Sequence, residues 1–385
     1  MMEIENTDTS NPKVIDLPDL NQSVVRYWEC GEYAWLYERL VAFLDSVLNA
    51  DQIPFHVRRQ GSRKIAVRTP VGAVDQRNLA GFIHDCQRFM DLYYPDWSYS
   101  ADFQLFFDCY REHPFSDAFL VEDANSIFSS DLIVGEVYND FIAYLRRQAI
   151  ARKVRKRLAD WKAGLRYQAE SASDRLARWS AANKLLVPVR VDLFYEESGV
   201  VADDLLPRMA WCKGIDGQWM RVPSHLSQGS GLRETRARID PTIAFEDRNR
   251  FFDNQYGADR DLFEHMRAYI SKMECGGKRH ALHQHCLFLF DGTQAVDVNE
   301  LVGRIAARWR KVTRNSGLVF NCHEGTGRAD MIRKGVWALD PLRCGDEQQL
   351  AKLQRYVEYY FAKDDGQVLR AKPTSRANAL VMTRR

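Results

Sequence analysis

Two histidines two residues apart, His283 and His285, are the side chains of this sequence that point most directly to chemistry. They lie in LHQHCLFLF, whose apolar end predicts a buried strand, and side chains two apart on a strand point to the same face. The preceding run YISKMEC ends at Gly276 and Gly277, so the two runs predict an antiparallel hairpin. Glu274 shares the face of the histidines if the turn centres between residues 278 and 279.

Two imidazoles and one carboxylate on a common face form a three-ligand site for a divalent metal, with coordination positions left open. A lone HxH motif more often consists of surface or core histidines. The prediction of a metal site at His283, His285 and Glu274 therefore depends on two further features. One is a carboxylate at the spacing of a hairpin partner, and the other is the buried strand that follows the histidines.

The last predicted helix begins near Asp346, which can act as N-cap, with Gln349 placed as in a capping box. This helix has one apolar stripe, which must pack on the sheet and is formed by Leu350, Leu353, Val357 and Phe361. At about 100° per residue, Tyr356, Tyr360 and Lys363 share the flank of that stripe, whereas Tyr359 points to solvent. Tyrosines at such a boundary are most often amphipathic packing residues. On a helix that lies on the sheet, however, these three side chains would overlook a site built there.

The chemistry that uses all these parts is phosphodiester transfer by tyrosine. A phenol has a pKa of about 10, so it attacks phosphate poorly unless its proton is removed or its target is polarised. A divalent ion can draw charge off the phosphate oxygens, and Lys363 can stabilise charge on the phenolate or the phosphate. Tyr356, four residues before Tyr360, could repeat the attack on another strand.

A long basic helical segment runs from Asn139 to Leu185. Seven cations crowd one part of it: Arg146, Arg147, Arg152, Lys153, Arg155, Lys156 and Arg157. Acidic partners four residues away are almost absent before Asp160, so neighbouring salt bridges do not neutralise the charges. A solvated helix face and a stripe that contacts DNA phosphates both fit this pattern.

Composition indicates a soluble cytoplasmic protein of two or three domains. The chain has 385 residues, 45% of them hydrophobic, which is typical of a globular protein. The net charge of +2 means that any affinity for nucleic acid must come from local clustering. Eight cysteines without a CxxC pair indicate reduced thiols and argue against a zinc ribbon or a disulfide scaffold. No signal peptide and no run of membrane-spanning length is present in the sequence, so no membrane partner is expected.

The remaining patterns predict the order of elements. Residues 1–22 form a flexible leader, 23–138 a mainly helical N-terminal domain of unknown role, 139–184 a basic helical linker, and 185–385 a catalytic domain. Helices are predicted within 22–49, 76–94, 101–110, 259–269 and 297–312, and strands at 185–195, GLVFNCHE and GVWALD. Residues 198–255 are predicted as loops with short strands, and 53–70 as either a strand pair or a basic loop.

Three motifs of the C-terminal half resemble the HUH rolling-circle replication endonucleases. The chain is most similar to the inovirus-type replication proteins with the YagK/YfjJ C-terminal domain, which occur in phages, prophages and plasmids. VRVDLFY (189–195) resembles the first strand of that family, Glu274 with HQH (283–285) its metal motif, and YVEYYFAKDD (356–365) its two-tyrosine motif. Gln284 departs from the pattern, because the superfamily prefers a hydrophobic residue between the histidines. The likeness covers about 185–385, and residues 1 to about 184 match no family.

The resemblance implies an α+β fold with an antiparallel five-stranded sheet, packed helices and the histidines on a central strand. Mg²⁺ or Mn²⁺ would bind His283, His285 and Glu274. Tyr360 would nick single-stranded or extruded origin DNA, leaving a 5′-phosphotyrosine and a free 3′-OH for a polymerase, with a host helicase as a further partner. Tyr356 would be the second nucleophile. Asp192 is either a fourth metal contact or, as preferred here, a structural residue, and the turn position of His280 argues against it as a ligand.

Two other functions remain open from the sequence. A DNA-binding replication regulator of the same fold, without turnover, would keep the basic helix and accommodate the unusual Gln284. A metallohydrolase acting on small molecules would need a deep enclosed pocket and would show no salt-dependent affinity for DNA.

Overall fold

A computed structural model gives the fold and describes residues 27–29, 33–70, 78–118, 123–197, 205–206, 209–214, 216–223, 237–253, 260–276, 281–294, 297–361 and 370–383. The predicted leader, His280 and Lys363 lie outside these residues.

The described helices and strands, in chain order, are as follows. The α-helices are α1 Tyr33–Asn49, α2 Cys86–Phe89, α3 Ala101–Glu112, α4 Val134–Ala151, α5 Val154–Ala182, α6 Pro241–Asp253, α7 Arg260–Phe263, α8 Val298–Val312, α9 Gly325–Arg333 and α10 Glu347–Phe361. The strands are β1 Tyr27–Glu29, β2 Phe55–Gln60, β3 Arg63–Arg68, β4 Ser98–Tyr99, β5 Ile127–Ser129, β6 Leu132–Ile133, β7 Leu185–Tyr195, β8 Leu205–Leu206, β9 Met209–Lys213, β10 Trp219–Pro223, β11 Ala237–Ile239, β12 Met266–Gly276, β13 Ala281–Asp291, β14 Gly317–Asn321, β15 Leu342–Arg343, β16 Ala371–Lys372 and β17 Leu380–Met382.

The chain divides into two compact units. The first comprises Met1–Pro95, Ala101–Arg155 and Asp203–Arg236, and the second Asp96–Ser100, Lys156–Ala202 and Ala237–Arg385. This division differs from the predicted domains, because the predicted linker 139–184 falls partly in each unit. Residues 203–236, predicted to be part of the catalytic domain, cluster with the first unit.

The first unit has a core of aromatic side chains contributed mainly by helices. Phe43 of α1 contacts Phe89 and Phe106, with ring centroids 5.9 and 5.8 Å apart, and all three side chains are fully buried. Phe141 of α4 packs on Phe106 and is also fully buried. These aromatic residues are therefore core residues, because rings of this size stabilise the unit mainly through the apolar area that they bury.

The second unit is built on an antiparallel sheet of six strands. The order is β14-β7-β13-β12-β17, and β15 also pairs with β7. Strand β14 pairs with the end of β7 (191–195) and β15 with its beginning (185–186), so both lie on the side of β7 away from β13. The sheet therefore has six strands where five were predicted, and the histidine strand β13 lies in its middle.

Helices cover both faces of this sheet. On one face, Leu353, Val357 and Phe361 of α10 and Leu176 of α5 share a buried cluster with sheet residues such as Ile270. On the other face, Phe251 of α6 and Trp309 of α8 pack together, and Phe251 also contacts Phe288. The fully apolar end of β13 is explained by this arrangement, since a strand covered on both faces buries every side chain.

Several predicted elements differ from the observed ones. The predicted helix 259–269 ends early, because α7 stops at Phe263 and β12 begins at Met266. Residues 241–253, predicted as loop, form α6, whose first turn is capped by Asp240 accepting from the backbone N–H of Thr242 at 2.7 Å. Residues 53–70, left open between two structures, form the hairpin β2–β3.

The predicted strand at GVWALD is wrong. Trp337, Ala338 and Leu339 are buried but pair with no strand among the described residues. The side-chain amide of Gln349 instead donates to the carbonyls of Ala338 and Asp340, at 2.9 and 3.1 Å. Because a side chain satisfies these carbonyls, the segment can be buried without joining the sheet.

The described cysteines Cys86, Cys109, Cys212, Cys275, Cys286, Cys322 and Cys344 are free thiols. No described helix is long and apolar enough to cross a membrane.

Candidate metal centre

Three candidate ligands come from two neighbouring strands in the middle of the sheet. Strands β12 and β13 pair so that Glu274 lies directly opposite His283, which is the register that the sequence predicts, and Lys272 lies opposite His285. Glu274, His283 and His285 are all buried, and one ligand atom from each lies within 4.8 Å of the others. These side chains share the sheet face that α10 covers, because Ile270 and Leu287 of the same face pack in its cluster.

The three side chains converge on one point. The Nε2 atoms of His283 and His285 are 3.3 Å apart, and His285 Nε2 lies 3.1 Å from Glu274 Oε2. The two imidazole planes are nearly perpendicular, at 86°. Each ring therefore directs its Nε2 atom toward the carboxylate and toward the other ring.

The outer nitrogen of each ring has an oxygen partner. His283 Nδ1 lies 3.2 Å from the carbonyl oxygen of Ala281, and His285 Nδ1 lies 2.6 Å from Asp192 Oδ1. A carbonyl and an ionised carboxylate can only accept, so these two contacts favour a proton on each Nδ1 and leave each Nε2 as the coordinating nitrogen. Two lone pairs and a carboxylate oxygen then face one another in a buried space. This donor set fits a divalent cation, which would neutralise the repulsion among them.

Electrostatics keeps the carboxylates ionised. Burial opposes the charge on Glu274, but hydrogen bonding with His285 and the charge of Lys272 outweigh it and lower its pKa to about 2. Burial likewise opposes charge on Asp192, yet the Arg190 guanidinium and His285 hold its pKa well below the usual range. Both groups are therefore anionic at neutral pH, as a ligand and its orienting partner must be.

The two histidines differ in their protonation. Burial and the neighbouring His285 lower the pKa of His283. For His285, burial also disfavours the charged form, but hydrogen bonds with Asp192 and Glu274 outweigh it and raise its pKa. A proton on His285 is thus the natural competitor of a metal ion at this centre.

Behind the ligands, the buried Arg190 forms an ion pair with the half-buried Asp192. Arg190 is only 1% exposed. Its guanidinium and the His285 imidazole both contact Asp192 Oδ1, and Arg190 Nη2 lies 2.7 Å from His285 Nδ1. The backbone N–H of Arg190 donates to His323 Nε2 at 2.9 Å. Asp192 contacts the outer nitrogen of His285, so it orients this ligand, consistent with the preferred structural role.

Lys272 and Arg190 belong to the site although the sequence reasoning did not select them. Lys272 is 2% exposed, and its Nζ atom lies 2.9 Å from Glu274 Oε1, leaving Oε2 for the centre. Strand alternation could have found Lys272, since it precedes Glu274 by two residues on a predicted strand. Arg190 could be found in the same way, two residues before Asp192.

Helix α10 is built much as predicted. Asp346 accepts from the backbone N–H of Gln349 at 2.9 Å, which caps the helix, but the Gln349 side chain bonds to other carbonyls, so the reciprocal half of a capping box is missing. The predicted stripe faces the sheet, with Leu353, Val357 and Phe361 buried and Leu350 partly buried against the same cluster.

The C-terminal end of α10 lies next to the residues that orient His285. The Phe361 ring is 6.4 Å from the His285 ring, and the Tyr360 ring is 5.8 Å from the Arg190 guanidinium carbon. Tyr360 is partly buried, and its ring packs at a tilt against that of Tyr356, with centroids 4.4 Å apart, whereas Tyr359 is 64% exposed. The structure thus brings both predicted tyrosines to the sheet face that carries the ligands.

The two tyrosines have different surroundings. Tyr356 is buried, and desolvation raises its pKa although the charge of Arg190 opposes the shift. The Tyr360 hydroxyl is 3.9 Å from Met331 Sδ, a weak acceptor. Lys363, predicted beside them, lies outside the described residues.

The basic segment 146–157 contains more partners than its sequence suggested. Arg146 donates to the carbonyls of Val47 and Gln52, and Arg155 to that of Leu48, so these two arginines cap the C-terminal end of α1. Three others form ion pairs: Arg147 with Asp140, Arg152 with Asp108 and Glu112, and Lys156 with Asp160.

The sequence argument considered only partners four residues away, and most of the observed partners are more distant in sequence. Lys153 and Arg157 are exposed. Contact of this segment with DNA stays a prediction.

Comparison of the chain with protein-family models, with curated proteins and with solved structures finds no match.

Proposed function

We propose that this chain is a metal-dependent enzyme that nicks and transfers DNA strands, with Tyr360 as the nucleophile. The observation that carries the proposal is the meeting of two features on one sheet face: the buried centre of Glu274, His283 and His285, and the tyrosines of α10 beside Arg190. The substrate is single-stranded or extruded origin DNA, and the activity begins rolling-circle replication.

Glu274, His283 and His285 would hold Mg²⁺ or Mn²⁺. When bound, the ion draws negative charge from the oxygens of the scissile phosphate. Carboxylate ligands suit both ions, and the two imidazoles favour Mn²⁺ over Mg²⁺. Asp192 fixes the orientation of His285, and Lys272 holds the second oxygen of Glu274, so the donor atoms are positioned before substrate arrives.

In the proposed reaction, the Tyr360 hydroxyl oxygen forms a bond to phosphorus as its proton passes to solvent water. The bond between phosphorus and the 3′ oxygen breaks, and that oxygen takes up a proton to give a free 3′-OH. The products are a 5′-phosphotyrosine and a primer end for a host polymerase, with a host helicase separating the strands. Arg190 contributes a positive charge beside the Tyr360 ring, which stabilises the negative charge that develops on the phenol.

Tyr360 is the better first nucleophile of the two. Tyr356 is buried and its pKa is raised, so its phenolate is costly to form. Tyr356 makes the second attack, on a later DNA strand, while Tyr360 is covalently bonded to the first strand. The tilted packing of the two rings, with centroids 4.4 Å apart, keeps the second phenol close to the first.

The test is a labelled-strand experiment with a pool of random single-stranded DNA and Mn²⁺. A 5′-phosphotyrosine keeps the 3′ part of the strand, so a 3′ label should migrate with the protein and a 5′ label should not. Tyr360→Phe should lower the yield of adduct by at least about 100-fold, as expected for loss of a nucleophile. Tyr359→Phe is the matched control, since it removes an exposed phenol from the same helix turn.

A non-catalytic DNA-binding regulator is the second candidate, and the burial of Tyr356 favours it. It predicts DNA binding that persists in EDTA, with neither label attached to the protein under any condition. Adduct that survives the double change Tyr356→Phe and Tyr360→Phe would instead show that the nucleophile has been assigned to the wrong residues.

A further inference from the structure

The hairpin β2–β3 of the first unit is a basic surface segment that the proposed nicking reaction does not use. Its residues 55–68 contain four arginines and one lysine and no acidic residue. Arg58, Arg59, Arg63 and Arg68 are all exposed. They form no ion pair with the described residues, whereas Lys64 pairs with Glu136 at 2.9 Å.

Strand pairing separates the side chains of this hairpin into two faces. Arg58 opposes Ile65, Gln60 opposes Arg63, and His56 opposes Val67, which places these six residues on one face, here called the outer face. The inner face carries the remaining pairs: Phe55 with Arg68, Val57 with Ala66, and Arg59 with Lys64.

Helix α4 and the segment before it hold the inner face. Asn139 exchanges two hydrogen bonds with the backbone of Phe55, at 2.8 and 3.0 Å, and Asn125 Oδ1 accepts from the Ala66 N–H at 2.7 Å. Gly135 allows the close approach, because a Cβ there would lie 2.6 Å from the Ala66 Cβ. Phe55 and Ala66 are buried as a result. The hairpin is therefore fixed through one face and presents the other to solvent.

The outer face has dimensions and side chains that fit the major groove of duplex DNA. Six-residue strands extend about 20 Å at about 3.3 Å per residue, and two strands lie about 4.8 Å apart. The major groove of B-form DNA, about 12 Å wide, admits a two-stranded ribbon of this size. Arginine and glutamine are the side chains that bond in bidentate fashion to guanine and adenine edges, and the outer face carries Arg58, Arg63 and Gln60.

We propose that the outer face of this hairpin binds duplex DNA in the major groove. Charge complementarity identifies a polyanion, and the absence of Phe, Tyr and Trp from this face argues against single strands, which need rings on which bases stack. The deep, narrow major groove of A-form RNA excludes a ribbon. This site is separate from the metal centre and adds recognition of the duplex, independently of nicking.

The two faces provide a matched test. Arg58→Ala with Arg63→Ala removes two charges from the outer face, and Arg59→Ala with Arg68→Ala removes two from the inner face of the same hairpin. Arg63, at the tip, also borders a cavity of about 520 Å³ that Arg59 and Asp131 line, so Arg58→Ala alone is measured too. All variants carry Tyr360→Phe and are assayed in EDTA, so that neither metal nor adduct formation contributes.

The probe is a mixed-sequence DNA duplex of about three helical turns, roughly 30 base pairs, with single-stranded DNA and duplex RNA of equal length as comparisons. The outer pair of substitutions should weaken duplex binding about tenfold or more and lower the salt slope by about 1.8. The inner pair should weaken it much less. Arg58→Gln with Arg63→Gln serves if the alanine variant does not fold.

The proposal would be overturned if the outer-face and inner-face substitutions weakened duplex binding equally. Binding would then depend on the number of charges and not on the face that carries them. A loss of affinity for single-stranded DNA or duplex RNA as large as the loss for duplex DNA, on substitution of the outer face, would overturn it as well. A loss confined to the outer face, with unchanged thermal unfolding, would establish the groove-binding face.

Discussion

At the scale of single residues, the centre depends on which nitrogen of each histidine carries the proton. Ala281 and Asp192 each occupy an outer nitrogen and leave the inner one for a metal. The sequence predicts the ligands because strand alternation and hairpin register are local rules. It does not single out Arg190, whose role comes from β7, nearly a hundred residues before His285 in the chain.

The orienting role of Asp192 gives the first prediction. Asp192→Asn keeps the shape of the side chain but removes its charge, so it should weaken Mn²⁺ binding about 10- to 100-fold in calorimetric titration. Asp291→Asn is the control, since Asp291 lies on the same sheet and pairs with Arg267, away from the ligands. Equal Mn²⁺ affinities of the Asp192→Asn variant and the unchanged protein would show that Asp192 does not orient the ligand His285.

A second prediction concerns His323, whose Nε2 accepts from the Arg190 backbone. Burial, with the charges of Arg328 and Arg190, lowers its pKa to about 4, against about 6.5 in an unfolded chain. Between these values the unfolded state binds more protons. The contribution to the free energy of unfolding is therefore complete above about pH 6.5 and is lost as the pH falls toward about 4.

Urea unfolding at pH 7 and pH 5 measures this effect. His323→Gln keeps an acceptor for Arg190 but cannot titrate, so it should lose less stability between the two pH values than the unchanged protein. The same loss in both proteins would contradict the assignment, since all other titrating groups are common to them.

At the scale of elements, local patterns predicted most of what positions the site. Strand β7 has the predicted bounds, and the capped helix α10 carries its apolar stripe where the period of the sequence places it. Long-range contacts decided the rest. Trp337 and its neighbours have the composition of a strand, but the Gln349 side chain takes the carbonyls that a strand partner would need.

The packing of α10 on the sheet gives a third prediction. Leu353 is fully buried in the cluster beneath the helix, so Leu353→Ala should lower the free energy of unfolding by about 2–5 kcal/mol. Tyr359→Ala, on the exposed side of the same helix, should change it by about 0.5 kcal/mol or less. Denaturant unfolding followed by tryptophan fluorescence measures both. Similar losses for the two variants would mean that α10 packs through another face.

At the scale of the whole molecule, the two proposals concern different units of the chain: nicking belongs to the second unit and duplex binding to the first. The net charge of +2 conceals the basic hairpin of the first unit, because charges elsewhere balance it. The sequence predicted a DNA contact at residues 146–157, because cationic residues lie close together in that part of the chain. The pairing of most of these cations with distant acids or with carbonyls becomes visible only in the fold.

The central claim is that Tyr360 attacks DNA held at the metal centre, and peptide mapping of the covalent adduct tests it most directly. After reaction with single-stranded DNA and Mn²⁺, nuclease trimming and trypsin should leave a nucleotide on the peptide that runs from Tyr356 to Lys363. Fragmentation should locate this nucleotide on Tyr360, and His285→Ala should abolish it. A nucleotide on Tyr359 or outside this peptide, or full modification of the His285→Ala protein, would contradict the account.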